Sequence, residues 1–297
     1  MTPADLLRFL TLGAIWGSSY MFTRIAVPAF GPLPLVMLRM LGAAVFFLPW
    51  TLSPPIRPLL RTNAPGLLLL GVLNSALPFS LLTFSMLRLQ AGFTAILGAT
   101  VPLFAVAIDA LWWRHPLSRW RLLGLALGFS GVALLTWDHF DFSAGGSGWA
   151  VLATLGASAC YGCAAHFGKH YFSGKPAMLP AAGSMLAAAL VISPGGWLMW
   201  PAHTPPLADW LAVAVLALVC TALAYMLYYR LIASISATAL TGVTYVIPVF
   251  GVLWGAIFLH EQITARIVLG MLVTVAGTAF TTGLLGGQRS GRSVNPP

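Results

Sequence analysis

Three ionisable side chains stand inside long apolar stretches of this 297-residue chain: Arg39, Asp109 and His166. Charge in hydrocarbon is costly, so each is a candidate for function by default. A guanidinium carries a fork of donors that matches a carboxylate, which makes Arg39 a carboxylate clamp or a gate. Its plainer reading is a side chain that snorkels outward or bonds backbone carbonyls. Asp109 is placed to relay protons or to gate one end, or simply to pair with the basic loop of Arg114 and Arg119. Histidine changes charge near neutral pH, so His166 is either a proton carrier or a hydrogen-bonded structural residue.

Prolines inside the same stretches carry a second kind of chemistry. Proline has no N–H and clashes with the carbonyl four residues back. Pro78 frees the Asn74 carbonyl, Pro102 that of Gly98 and Pro248 that of Thr244. Freed carbonyls survive at membrane depth only against protein or a watery cavity. These three prolines, with Arg39 and Asp109, form the expected gate or hinge set; a static packing kink is the alternative.

Polar and aromatic side chains at mid-depth supply the expected solute contacts. They are Trp16, Ser19 and Tyr20 in the first apolar stretch and Asn74 in the third. Thr94 and Thr100 follow in the fourth, then Tyr161 and His166 in the sixth. Tyr225, Tyr228, Thr244 and Tyr245 come from the eighth and ninth. Aromatic faces stack on a flat or apolar solute, while hydroxyls and the amide bond its polar end. Each also has a bland reading, as a residue facing lipid or a neighbouring helix. Cys160-Tyr161-Gly162-Cys163 is formally a redox or zinc spacing, but thiols inside an apolar helix read as small buried residues.

The elements that must position these groups follow from composition. Residues are 59% hydrophobic and 7% charged, with a mean hydropathy of +0.90. Soluble domains carry about 25% charged residues, so the expected class is an all-α polytopic membrane protein. A β-barrel would alternate polar and apolar residues in segments of about 10. Ten helices are expected, over 5–24, 33–52, 65–87, 91–112, 119–137, 148–169, 177–200, 207–230, 236–259 and 264–285. The net charge of +9 falls in short loops, where it is a topology signal and no sign of nucleic acid. With the N-terminus inside, eleven basic residues are cytoplasmic and three (Arg24, Arg88, Arg266) external, which puts both termini in the cytoplasm.

The chain also repeats itself. Ala76-Leu77 recurs as Ala222-Leu223, Ala91 as Ala237, Pro102 as Pro248, Gly124 as Gly270 and Gly131 as Gly277, always 146 residues on. Trp16-Gly17-Ser18-Ser19 is echoed by Tyr161-Gly162-Cys163-Ala164 at a spacing of 145. The expected units are a first five-helix repeat (1–140), a linker (141–147), a second repeat (148–285) and a disordered cytoplasmic tail (286–297). Five crossings per copy invert the second copy, an arrangement of secondary transporters.

Trp16-Gly17-Ser18-Ser19, Arg39 after Pro32 and Pro34, and the central Pro102 and Pro248 followed by Glu261, Gly270 and Gly277 carry a family likeness. The pattern resembles the drug/metabolite transporter superfamily. Within it, the chain is similar to ten-helix bacterial exporters with two paired EamA-type repeats, above all the aromatic amino acid exporters. The sequence departs from the pattern at His115, which stands where the second copy has Glu261, and in lacking a first-helix glutamate. The resemblance implies export of amino acids or similar small metabolites by alternating access, from a bacterial inner membrane. It implies a lipid-embedded chain, with a monomer as the candidate state, and no cofactor, metal or nucleic acid. A multidrug or other metabolite exporter and a channel-like facilitator are the alternatives. No Ser/His, paired-carboxylate or HExxH arrangement suggests an enzyme.

Overall fold

The computed structural model describes residues 1–285 except 113, 115, 116, 144 and 236, and at 233, 237 and 238 the backbone alone. Expectations for His115 and for the tail 286–297 therefore lie outside the described residues. Every regular element among the described residues is helical. In chain order they are α1 (Pro3–Phe30), α2 (Pro32–Thr51), the short α3 (Arg57–Thr62), α4 (Ala64–Ser85) and α5 (Ala91–Trp112). Then come α6 (Arg119–Thr136), α7 (Gly148–Phe172), α8 (Met178–Leu198), α9 (Leu207–Ile232), α10 (Ala239–Leu259) and α11 (Ala265–Thr281).

Seven of these, α2, α4, α5 and α7 to α10, are long and apolar enough to cross a bilayer. The other three expected spans coincide with α1, α6 and α11. These are more polar or shorter: α1 carries Asp5, Arg8 and Arg24, α6 opens on Arg119 and Arg121, and α11 has 17 residues. The chain is thus a multi-pass integral membrane protein. Helix α1 runs beyond its expected end and stops at Gly31, whose φ of 77° suits glycine. The short α3 was expected as connection, and Pro58 near its start favours it.

Helix starts follow the expected side-chain chemistry. Thr2 and Asp5 form a reciprocal capping box on α1, and Ser118 and Thr264 cap α6 and α11. The interior breaks are less regular than the prolines suggest. In α4 a π turn spans Val72–Ala76, just before Pro78. In α5 the helix is interrupted at Ala99 and Thr100, just before Pro102. Helix α9 has its own π turn at Leu218–Leu223 with no proline near it, whereas Pro248 lies inside the continuous stretch Val243–Leu259. The two π turns begin 146 residues apart. The two non-glycine residues with positive φ among the described residues, Arg114 (54°) and His260 (55°), have the same spacing.

Packing pairs helices across the chain. Helix α1 lies on α10 and α5 on α7; α1 meets α9 as α4 meets α7; α2 meets α9 as α4 meets α8. The pairs α2–α8, α5–α10 and α6–α11 complete the set. A stack of methionine, alanine and phenylalanine joins α2 to α8, with Met37, Met40 and Phe47 against Met185 and Ala188. Glycine sets the closest crossings. A Cβ on Gly277 would stand 2.2 Å from the Gly128 backbone nitrogen, and one on Gly17 2.6 Å from Phe250 Cβ. In lipid such small-residue contacts let helices gain dispersion energy where no hydrophobic effect drives them together.

Between α6 and α7, Asp138 contacts His139 Nδ1 at 2.9 Å and Arg266 at 2.5 Å. The hydrogen bond with His139, and then that from Arg266, hold the Asp138 carboxyl below the usual carboxylate range.

Candidate functional site

The site is built around Arg39. Helix α2 places it in the interior with 7% of its surface exposed. Its Nε donates to Thr221 Oγ1 at 2.9 Å, and its guanidinium carbon lies 3.9 Å from the centre of the Phe79 ring. The Thr221 hydroxyl in turn donates to the Leu216 carbonyl, five residues back, at 2.8 Å. That spacing belongs to the π turn of α9, so the backbone irregularity is what aims Thr221 at Arg39. Among the described residues the Nε bond to Thr221 is the one hydrogen bond Arg39 makes, and no carboxylate comes within 4 Å of its guanidinium.

The π turn of α4 supplies the opposite wall. Asn74 Nδ2 donates to the Tyr225 hydroxyl at 2.9 Å, and the Ser75 hydroxyl donates to Met185 Sδ at 3.9 Å. Tyr225 sits edge-on to Trp16 at 6.3 Å, Trp16 lies 5.7 Å from Tyr228, and Tyr229 closes the cluster 5.6 Å from Tyr228. Tyr161 meets Phe79 edge-on at 6.3 Å. The phenols of Tyr20, Tyr161 and Tyr225 and the Cys220 thiol all lie within electrostatic reach of Arg39. Trp16, Tyr20, Asn74, Tyr161, Tyr225 and Tyr228 are half-buried.

Arg39, Trp16, Tyr20, Asn74, Tyr161, Tyr225 and Tyr228 are therefore brought together from α1, α2, α4, α7 and α9. The hydroxyls of other sequence candidates bond their own helices: Ser19 to Trp16 O (2.7 Å), Thr94 to Gln90 O (2.8 Å), Thr100 to Leu97 O (2.6 Å) and Thr244 to Thr241 O (2.7 Å). Tyr245 pairs with Thr282 at 2.6 Å. His166 Nε2 lies 2.8 Å from the Ala105 carbonyl and its Nδ1 4.0 Å from Asp109. These two candidates thus sit together at the interface of α5 with α7. Pro78 and Pro248 are buried and Pro102 half-buried.

Four residues of the cluster escaped the sequence reading: Phe79, Thr221, Cys220 and Tyr229. Two had a usable signal, because Phe79 and Tyr225, like Ser75 and Thr221, are 146 residues apart. Glu261 does something the sequence did not disclose. Its carboxylate accepts from the backbone nitrogens of Ala91 (2.6 Å) and Gly92 (2.9 Å), capping α5 from the α10–α11 connection. Gln90, at the usual capping position, makes no side-chain cap bond. Gly255 leaves room for that carboxylate, since a Cβ there would stand 2.3 Å from Glu261 Oε2.

One buried cation, a neutral polar amide and a set of aromatic faces suit a small molecule with one anionic end and a flat apolar body. Among the described residues no three His, Cys, Asp or Glu side chains gather as metal ligands. A helical membrane protein with a polar, aromatic-lined site where several helices meet belongs to the class of solute carriers. More narrowly, the chain belongs to the EamA-like transporter family, whose model matches residues 5–137 and 148–283.

The chain is 31% identical over 248 residues to an uncharacterized inner membrane transporter, YedA, of Escherichia coli K12, covering 81% of this chain and 78% of that one. It is 24% identical over 297 residues to a probable amino-acid metabolite efflux pump of Salmonella typhimurium LT2, covering 93% and 94%. A solved structure shares the fold with a TM-score of 0.66 at 19% identity, covering 96% of this chain and 98% of that one.

Proposed function

We propose that the protein is a secondary transporter that exports amino acids, aromatic and other apolar ones first, or similar small metabolites, by alternating access. The observation that carries this reading is the Arg39 cluster, where a cation, an amide and aromatic faces converge. Family membership and the efflux-pump relative support the direction of transport. In this reading Trp16, Ser19, Tyr20, Asn74, Thr94, Thr100, Tyr161, His166, Tyr225, Tyr228, Thr244 and Tyr245 contact or border the solute. Arg39, Pro78, Pro102, Asp109 and Pro248 gate or hinge the path.

The architecture that goes with it is ten spans in two inverted five-helix repeats, 1–140 and 148–285, with both termini in the cytoplasm of a bacterial inner membrane. Its supports are the interhelix contacts that interchange with the two halves, the π turns and positive-φ residues at one spacing, and the bias of basic loops. The proposed working unit is a monomer.

The test is flux of labelled phenylalanine in proteoliposomes, with and without a pH gradient. Saturable flux blocked by other apolar amino acids is expected. Flux of a quaternary ammonium dye or a sugar phosphate in its place would move the protein to a drug or phosphorylated-metabolite exporter. Unsaturable flux would make it a channel.

A further inference from the structure

The halves that build the Arg39 cluster are alike in register but unlike in charge. Arg39 bonds Thr221 at 2.9 Å; the positions 146 residues from these two are Met185 and Ser75, which meet at 3.9 Å. The same contact is thus made twice, once by a guanidinium and once by a neutral thioether. The cluster receives one positive charge and no second cation from the matching position. Among the described residues Arg39 makes one hydrogen bond, from Nε to Thr221, and one ring contact, with Phe79, and pairs with no carboxylate, in a side chain only 7% exposed. A buried charge without an anionic partner is expensive, so the site is prepared for one anion.

The groups around Arg39 say what it is not prepared for. Phe79, Tyr20, Tyr161, Tyr225, Cys220 and Thr221 are neutral. Asp109, the acidic residue well inside a span, stands beside His166 on α5 and α7 and makes no ion pair with Arg39. An α-ammonium brought to this site gives up water for an amide, phenols and a thiol. Neutral acceptors recover part of that desolvation cost but not the attraction of a carboxylate.

We infer that the Arg39 cluster recognises its solute by a single carboxylate and an aromatic or apolar tail, and binds deaminated analogues at least as tightly as the amino acids. The inference rests on the proposed reading of this cluster as the solute site. The carboxylate takes the two terminal nitrogens of Arg39, Thr221 holds the guanidinium in plane, and the ring of the solute lies among Trp16, Tyr225 and Tyr228.

The experiment is equilibrium binding to the full chain in lipid nanodiscs, with labelled 3-phenylpropionate and labelled L-phenylalanine measured separately and phenethylamine as competitor. Expected is binding of 3-phenylpropionate at least as tight as that of phenylalanine, with no displacement by a hundredfold excess of phenethylamine. Arg39→Gln should weaken the carboxylate ligand about ten- to a hundredfold, and Thr221→Val, which keeps the charge, by less. Should Arg39→Gln fail to fold, Thr221→Val and the wild-type comparison still decide.

Phenylalanine binding ten times more tightly than 3-phenylpropionate would overturn the inference while leaving the amino acid reading intact. Binding of 3-phenylpropionate without phenylalanine would support the inference and remove the amino acid reading. Binding of neither, or displacement by the amine as effective as by the acid, would overturn it.

Discussion

At the scale of single residues, Trp16 is the side chain on which the aromatic wall depends. It touches both Tyr225 and Tyr228, and Tyr225 is in turn tied to Asn74. Truncation to alanine removes a large flat face and loosens the ring that receives the Asn74 hydrogen bond. Aromatic contacts and burial together are worth more than 1 kcal/mol, so Trp16→Ala should weaken solute binding about tenfold or more. Export should fall accordingly, with membrane abundance unchanged. Unaltered flux at normal abundance would take Trp16 out of the site. Residue types alone singled out Trp16, Arg39 and Asn74 as candidates, and tertiary packing brings them into one cluster. Thr221 and Phe79 were not legible, since their meaning comes from Arg39 lying against them. That contact arises from tertiary packing of α2 on α4 and α9, and no local pattern announces it.

At the scale of elements, the irregular turns decide where the functional groups point. Prolines disclosed two of them, beside Pro78 and Pro102, because a missing N–H is visible in a sequence. The π turn of α9 was invisible, since an inserted residue in a helix leaves no residue-type mark; only its 146-residue spacing from the turn of α4 betrays it. Pro248, inside a continuous helix, leaves the Thr244 carbonyl without its usual donor and gives α10 a place to flex. Pro248→Ala restores that donor. Turnover should fall severalfold while half-saturation changes by less than about twofold; equal turnover would end the hinge assignment. Glu261 acts on an element in another way, by satisfying two orphan N–H groups at the start of α5. Charge-assisted caps contribute about 1–3 kcal/mol. Glu261→Ala should therefore lower the unfolding temperature in detergent by several degrees, and Glu261→Gln by less. A thermal melt unchanged in both variants would mean that water caps α5 equally well.

At the scale of the whole molecule, orientation follows from charge placed by composition, which the helix geometry then constrains. Arg57 and Arg61 on α3 and Lys175 before α8 gather at one end of the bundle, with Lys175 bonded to Asn63. Arg88, Asp138 and its partner Arg266 at the start of α11 lie at the other. Basic loops resist translocation, so the end with Arg57, Arg61 and Lys175 should face the cytoplasm. The consequence is testable with single cysteines in a background lacking Cys160, Cys163 and Cys220. Gln262→Cys, in the α10–α11 connection, should react with a membrane-impermeant maleimide in intact cells once the outer membrane is opened. Thr62→Cys, at the end of α3, should react only after the inner membrane is permeabilised. A reversed pattern would invert the carrier. Labelling of both from one side would break the proposed count of crossings between α3 and α11, and with it the proposed inverted arrangement by which one site would face each side in turn.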